Sequence, residues 1–250
     1  MRRGRGSWTD RIGLRRGGFR KVQRTPYTSG VTSSTGPIAS SSSDLPEAFS
    51  VVILAGGYGK RLGQDKASAP VGGRPMLQWT AEAVASLSDD VIVVRRVGQA
   101  LPPAPAGVTW REVTDRRSAA GPLAGIEAAL HEIRHDLMVT VACDMPLVRP
   151  SLVRAIAAEC AGVDVTMPVL DGVAQPLLAA YRRGCLPAIE RLLSAGEGRI
   201  RAMLPEVPSR RLGKAELERH DAGLMSFTNV NYPEDVARVA AILLRGHRGD

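Results

Sequence analysis

Two hydrophobic rhythms take turns along this chain. Phe49–Leu54, Val91–Val94 and Leu137–Ala142 are continuous apolar runs, rich in β-branched residues and too short for helices, so they predict buried strands. Thr109–Val113 predicts a further short strand. Between the runs the apolar positions fall at helical spacing. After a tight turn at Val71–Arg74, Pro75 can open a helix that carries Leu77, Trp79, Ala83, Val84 and Leu87. A second helix starts at Gly121-Pro122 and holds Ile126, Ala129, Leu130 and Ile133, and a third runs from Pro150 through Ile156. Asp164–Pro168 and Pro176–Tyr181 predict two strands linked by a hairpin-type turn at Asp171-Gly172. A terminal helix begins at Pro233 and shows an apolar face of Val236, Val239, Ala240 and Leu243. Strands alternating with helices predict an α/β fold of three layers around a mainly parallel sheet.

Charge divides the chain differently. The formal net charge is +8, but residues 1–48 hold nine Lys/Arg against three Asp/Glu, a net of +6 that leaves +2 for residues 49–250. The basicity therefore belongs to a leader, and the body is nearly neutral. Arg- and Ser-rich, with the run Ser40–Ser43 near its end, that leader buries too little apolar surface to offset its ordering entropy and is expected to be disordered. It fits a solvated tail, an organellar targeting segment or a weak tether to nucleic acid; a secretory signal is excluded by the lack of an apolar core. No run reaches the roughly 18 apolar residues of a membrane helix, and a cytoplasmic location is expected. Cys143, Cys160 and Cys185 are odd in number and show no C-x-x-C spacing, which argues against a disulfide framework or a zinc cluster.

The chemistry concentrates in Leu54-Ala-Gly-Gly-Tyr-Gly-Lys-Arg-Leu-Gly-Gln-Asp-Lys66, directly after the first strand. Gly56, Gly57, Gly59 and Gly63 allow sharp turns with exposed N–H groups, and Lys60, Arg61 and Lys66 are interleaved with them, which suits a polyphosphate. The loop is not a P-loop, because Gln64 and Asp65 separate Gly63 from Lys66 and Ala67 has no hydroxyl. Nor is it a dinucleotide fingerprint, because Leu62 stands where the third glycine belongs. At the end of the strongest strand comes Cys143-Asp144-Met145-Pro146. A carboxylate held there, facing a phosphate loop, suits Mg²⁺, which takes one or two carboxylates plus phosphate oxygens and water.

The pattern L-A-G-G-x-G-x-R-L-G-x-D-K resembles the signature of the nucleotide-diphospho-sugar type of nucleotidyltransferase, and within that group the MobA-like molybdenum cofactor guanylyltransferases. The likeness runs from about Val51 to Leu244 and includes Gly121-Pro-Leu-Ala-Gly125, Cys143-Asp-x-Pro146, Gln175-Pro-Leu-x-Ala-x-Tyr-Arg182, Gly196–Leu204 and Asn229-Val-Asn-Tyr-Pro-Glu-Asp235, with Tyr232 where the family has Thr. The resemblance implies GMP transfer from GTP to the phosphate of a pterin acceptor with release of pyrophosphate. It implies nucleotide contacts from Leu54, Ala55, Gly56, Gly57, Lys66, Asp115, Gly121 and Asp144, catalytic roles for Arg61, Lys66 and Asp144, magnesium on Asp144 and Asn231, and acceptor contacts from Gln175, Arg182 and Asn229. Arg199 and Arg201 could face the acceptor phosphate or lie on a solvated helix face. Molybdoenzyme maturation partners would follow from such a role. For Asp115 an Asx-type turn is the competing explanation. The family commonly has Asn after the second strand, where this chain reads Val94-Arg95-Arg96, so cytidylyl transfer or another phosphorylated acceptor stays open.

Two other readings carry less. His131-Glu-Ile-Arg-His135 matches the H-E-x-x-H pattern of zinc proteases, but it closes a helix on the edge away from the phosphate loop and has no evident third ligand. Cations at a helix C-terminus explain it. A basic-tailed nucleic-acid binder would need stacking aromatics in the body, and aromatics make up only 4% of the chain.

Overall fold

A computed structural model describes residues 47–59, 61–115, 117 and 121–246. The expected leader thus lies outside the described residues except for Glu47 and Ala48. In chain order the elements are β1 (Phe49–Leu54), β2 (Pro70–Val71), β3 (Arg74–Pro75), α1 (Met76–Val84), β4 (Val91–Arg96), β5 (Arg111–Asp115), α2 (Pro122–Glu132) and β6 (Leu137–Ala142). There follow α3 (Pro150–Ala158), β7 (Val165–Leu170), β8 (Val173–Ala174), β9 (Ala179–Arg182), α4 (Leu186–Ser194), β10 (Ser209–Leu212), α5 (Lys214–Glu218) and α6 (Pro233–Gly246).

The main sheet has the order β10-β7-β9-β6-β1-β4-β5, with β8 paired to β7 and β2-β3 forming a separate ribbon. β1 lies parallel to both β4 and β6, and β9 runs antiparallel between β6 and β7. β1 and β6 are buried on both faces, which is why they read as unbroken apolar runs rather than alternating ones. Alternation instead selects the layer. Val51 and Ile53 pack with Leu77, Ala81 and Val84 of α1 and Leu152 and Ile156 of α3. Val52, Ile92 and Val94 pack with Leu123, Ile126 and Leu130 of α2 and Ile189 and Leu193 of α4. The three-layer α/β fold is as expected.

Expected and observed bounds differ at several elements, and three of the differences have physical reasons. β5 is displaced two residues beyond the expected strand because its register with β4 sets Arg111 opposite Ile92. The last expected turn of α1 becomes a 3₁₀ turn over Ala85–Leu87. Asp171 and Gly172, with φ of 48° and 78°, make the expected tight turn, but it leads into β8; Pro176, unable to donate to a ladder, precedes β9 rather than starting it.

Chain direction then locates the ligand edge. From β1 the chain passes to β4 and β5 on one side and returns to β6 on the other. At such a switch point ligands bind outside the carboxyl ends of the strands. Leu54 and Ala142 are register partners there, and Cys143 N donates to Leu54 O at 3.1 Å. The glycine loop and the Cys-Asp-Met-Pro corner therefore leave the sheet side by side.

Candidate active site at the carboxyl edge

The loop after β1 is held by its own backbone and by one buried polar network. Ala55 N donates to Val94 O at 2.8 Å, and Ala55 O accepts from Gln99 Nε2 at 3.0 Å. Gln99 Nε2 also reaches Asp65 Oδ1 at 3.0 Å, Asp65 Oδ1 accepts from Ala67 N at 3.0 Å, and Arg96 Nη2 donates to Asp65 Oδ2 at 2.5 Å. A Cβ at Gly59 would stand 2.0 Å from Gln64 O, so any side chain there would force the loop open. The network corrects one expectation: the Ala55 amide is already engaged by the sheet, so the amides free to meet a phosphate start at Gly56 and Gly57.

At the mouth of this loop three side chains far apart in sequence converge. Lys66 Nζ lies 2.6 Å from Asp144 Oδ2 and 2.6 Å from Asn231 Oδ1. Asp144 is 8% exposed, and its carbonyl accepts from Val230 N at 2.9 Å, which ties the Asn229–Asn231 segment to the end of β6. Asn229 Oδ1 is buried and has no hydrogen-bond partner among the described residues. The Asp144 carboxylate and the Asn231 amide oxygen, gathered on one ammonium, are a pair of hard-oxygen donors. That pair fits a magnesium ion. Arg61 stands at the rim instead, exposed, with its guanidinium 5.2 Å from the Tyr232 ring centroid.

These groups open onto a cavity of about 310 Å³ lined by Leu54, Gly56, Lys66, Arg96, Asp115 and Asp144, among others. Its volume is within the range of small-ligand sites. Its far wall is the start of α2, where Gly121 has φ 79° and a Cβ would come within 3.0 Å of Gly198 O. Asp115 makes the Asx-type turn suggested for it, with its Oδ1 accepting from Arg117 N at 2.8 Å, and also stands at the cavity. Burial raises its carboxyl above the ordinary value against the opposing effect of that hydrogen bond. Strand alternation separates the two arginines: Arg96 points to the cavity, while Arg95 turns away to Glu112 at 2.9 Å.

Gln175 lies on the same edge, near Leu177 of the cavity wall, with its N donating to Pro168 O at 2.9 Å. Arg182 is not brought there. It is opposite Leu137, at the amino edge, and binds Glu47 at 2.6 Å and Asp136 at 2.9 Å. Arg199 is exposed and paired with Glu197 beside a 3₁₀ turn rather than on an α-helix. Cys143 is buried; burial and the neighbouring Asp144 push its thiol far above the ordinary range, so it is a core residue and no nucleophile. The H-E-x-x-H pattern is split: α2 ends at Glu132, His135 pairs with Asp89 at 2.7 Å, and His131 faces Glu190 at 3.1 Å.

The profile of the MobA-like NTP transferase domain matches residues 51–212. The chain belongs to this family. The molybdenum cofactor guanylyltransferase of Pseudomonas putida is 34% identical over 196 residues, covering 76% of this chain and 98% of that protein. Its counterpart of the same name from Desulfosudis oleivorans is 31% identical, covering 80% and 98%. Among solved structures, molybdopterin-guanine dinucleotide biosynthesis protein A from Archaeoglobus fulgidus has a TM-score of 0.67 at 26% identity, covering 79% of this chain and 100% of that one. This NTP transferase thus has the expected fold and enzyme class. Asp65 and Gln99, which brace its glycine loop, were missed by sequence reasoning. Asp65 was visible in the L-G-x-D-K pattern; Gln99 gave no signal.

Proposed function

We propose that this chain transfers GMP from GTP to the terminal phosphate of a molybdopterin acceptor and releases pyrophosphate. The observation that carries the reading is the convergence of Lys66, Asp144 and Asn231 beside the cavity at the sheet's switch point. Relatives that this chain spans almost completely are guanylyltransferases of that cofactor, which favours guanine over the cytidylyl alternative.

The acceptor phosphate needs no general base, because the second pKa of a phosphate monoester is about 6 and the nucleophile is anionic near neutral pH. The task is to join two polyanions and stabilise the leaving pyrophosphate, which is positioning plus electrostatics. The Gly56 and Gly57 amides receive phosphate oxygens, and Lys66 moves its charge from Asp144 toward the triphosphate. Asp144 and Asn231 would hold a magnesium ion, which when bound would neutralise charge on the phosphates. In this reading Asn229 and Gln175 orient the acceptor, and Asp115 and Arg96, which line the cavity, face the nucleoside.

Pyrophosphate release from each of the four NTPs, with molybdopterin as acceptor, tests the reading. GTP is expected to be preferred by at least about tenfold, or about 1.4 kcal/mol of discrimination. A preference for CTP would overturn the guanylyl assignment, and no release from any NTP would overturn the transferase reading of this acceptor.

A further inference from the structure

The half of the H-E-x-x-H pattern that lies in α2 has partners that the sequence did not reveal. Glu127 and His131 are one turn apart and so share a face of α2. α4 packs on that helix and brings Glu190 beside them. One ligand atom from each of the three lies within 4.8 Å of the others. We propose that Glu127, His131 and Glu190 form a zinc-type divalent metal site that bridges α2 and α4.

Geometry and donor chemistry both support this. Zinc binds nitrogen and oxygen ligands at about 2.0–2.2 Å, so tetrahedral ligand atoms stand about 3.3–3.6 Å apart. His131 Nε2 and Glu190 Oε1 are already 3.1 Å apart. Their side chains are half exposed, at 51% and 48%, so small rotations can complete the set. One imidazole with two carboxylates leaves a fourth position for water and favours zinc over magnesium or calcium, which prefer all-oxygen shells. Charge points the same way. The Glu127 side chain is only 11% exposed and is met by the Nε of a largely exposed Arg117 at 3.2 Å. Burying a carboxylate is costly even when it is paired, and a divalent ion between the two glutamates would add to the compensation that Arg117 gives. Glu127 and His131 follow the Gly121–Gly125 end of α2 that lines the nucleotide cavity, and Glu190 is on α4; none of the three lines that cavity, so this site is separate from Lys66, Asp144 and Asn231. An occupied site would tie the helix that walls the cavity to its neighbour.

The test is calorimetric titration of zinc chloride into chelator-stripped full-length protein, alongside Asp144→Asn, His131→Ala and Glu190→Gln. One equivalent should bind to the wild type and to Asp144→Asn, and affinity should fall about tenfold or more in His131→Ala and Glu190→Gln. Zinc should raise the thermal midpoint of the wild type but not of His131→Ala, whose midpoint without metal should match the wild type because the replaced side chain is half exposed. Absence of zinc binding by the wild type, undiminished binding by His131→Ala, or loss of binding in Asp144→Asn would each overturn the proposal. The last would place the ion in the nucleotide site; the second would leave the three residues an ordinary interhelical ion-pair network.

Discussion

At the amino edge of the sheet, Asp90 has both carboxylate oxygens engaged: Oδ2 accepts from Ser50 Oγ at 2.6 Å and Arg134 N at 2.8 Å, and Oδ1 from Arg111 Nη2 at 2.6 Å. At the carboxyl edge, among the described residues, Asp144 has one cation, Lys66, and that cation is shared with Asn231, while Asn229 Oδ1 has no partner. Both carboxylates are buried at strand ends. One is closed by its own chain, and the other keeps open valences. A fully satisfied buried network holds the fold together, whereas an incompletely satisfied one costs stability unless a ligand completes it. Polar completeness therefore separates the structural edge of this sheet from the working one.

Substitution of each aspartate sharpens that contrast, and the largest effect is expected at Asp144. Asp144→Asn keeps the volume and removes the charge on which Lys66 and the proposed magnesium depend. Pyrophosphate release should fall about 10²- to 10³-fold, or roughly 3–4 kcal/mol in the barrier, with little change in thermal midpoint. Near-normal turnover would remove Asp144 from the mechanism.

Asp90→Ala should do the reverse. Arg111 is 37% exposed and can regain water, so the loss should be near the low end for a broken buried pair, about 3 kcal/mol, or roughly 6–12 °C in midpoint. Turnover per folded molecule should be kept. The acid limb should change as well. Burial alone would raise the Asp90 carboxyl, but hydrogen bonds from Ser50, the Arg134 amide and Arg111 outweigh it and hold it below the ordinary value. With the folded value below the unfolded one of about 3.9, this group's contribution is complete above pH 4 to 5 and is lost as pH falls through the folded value. Midpoints measured from pH 7 to pH 3 should fall less steeply in Asp90→Ala than in the wild type; parallel curves would mean that Asp90 is not the acid-sensitive clasp.

The comparison also explains what could be read before folding. β1 and β6 were legible to the residue because burial on both faces leaves unbroken apolar runs, and the loops that leave their carboxyl ends were legible because glycines and Pro146 punctuate the chain there. Partnerships were not legible from pattern; the resemblance alone grouped Lys66, Asp144 and Asn231. Lys66 meets Asn231 across 165 positions, and Ser50 meets Asp90 across 40; only the strand order brings such groups together. Gln99 follows β4 in a turn without any pattern, so its grip on Asp65 and Ala55 had no trace in sequence.

Arg182 shows most clearly how strand direction decides role, and it carries the smallest expected effect. Its pattern, Gln175 to Arg182, begins at the working edge, but β9 runs antiparallel to β6 and delivers its last residue to the other edge. There the guanidinium is 17% exposed and holds Glu47 and Asp136, which are 49% and 59% exposed. Pairs with such exposed partners are worth about 1 kcal/mol or less each, and the Glu47 contact draws that carboxyl below its ordinary value through the Arg182 hydrogen bond, against a small cost of burial. Arg182→Ala should therefore lower the thermal midpoint by only a few degrees and leave KM for the acceptor within about twofold of the wild type. A tenfold rise in acceptor KM without loss of stability would mean that Arg182 reaches the acceptor after all, and that polar completeness does not sort the two edges of this sheet.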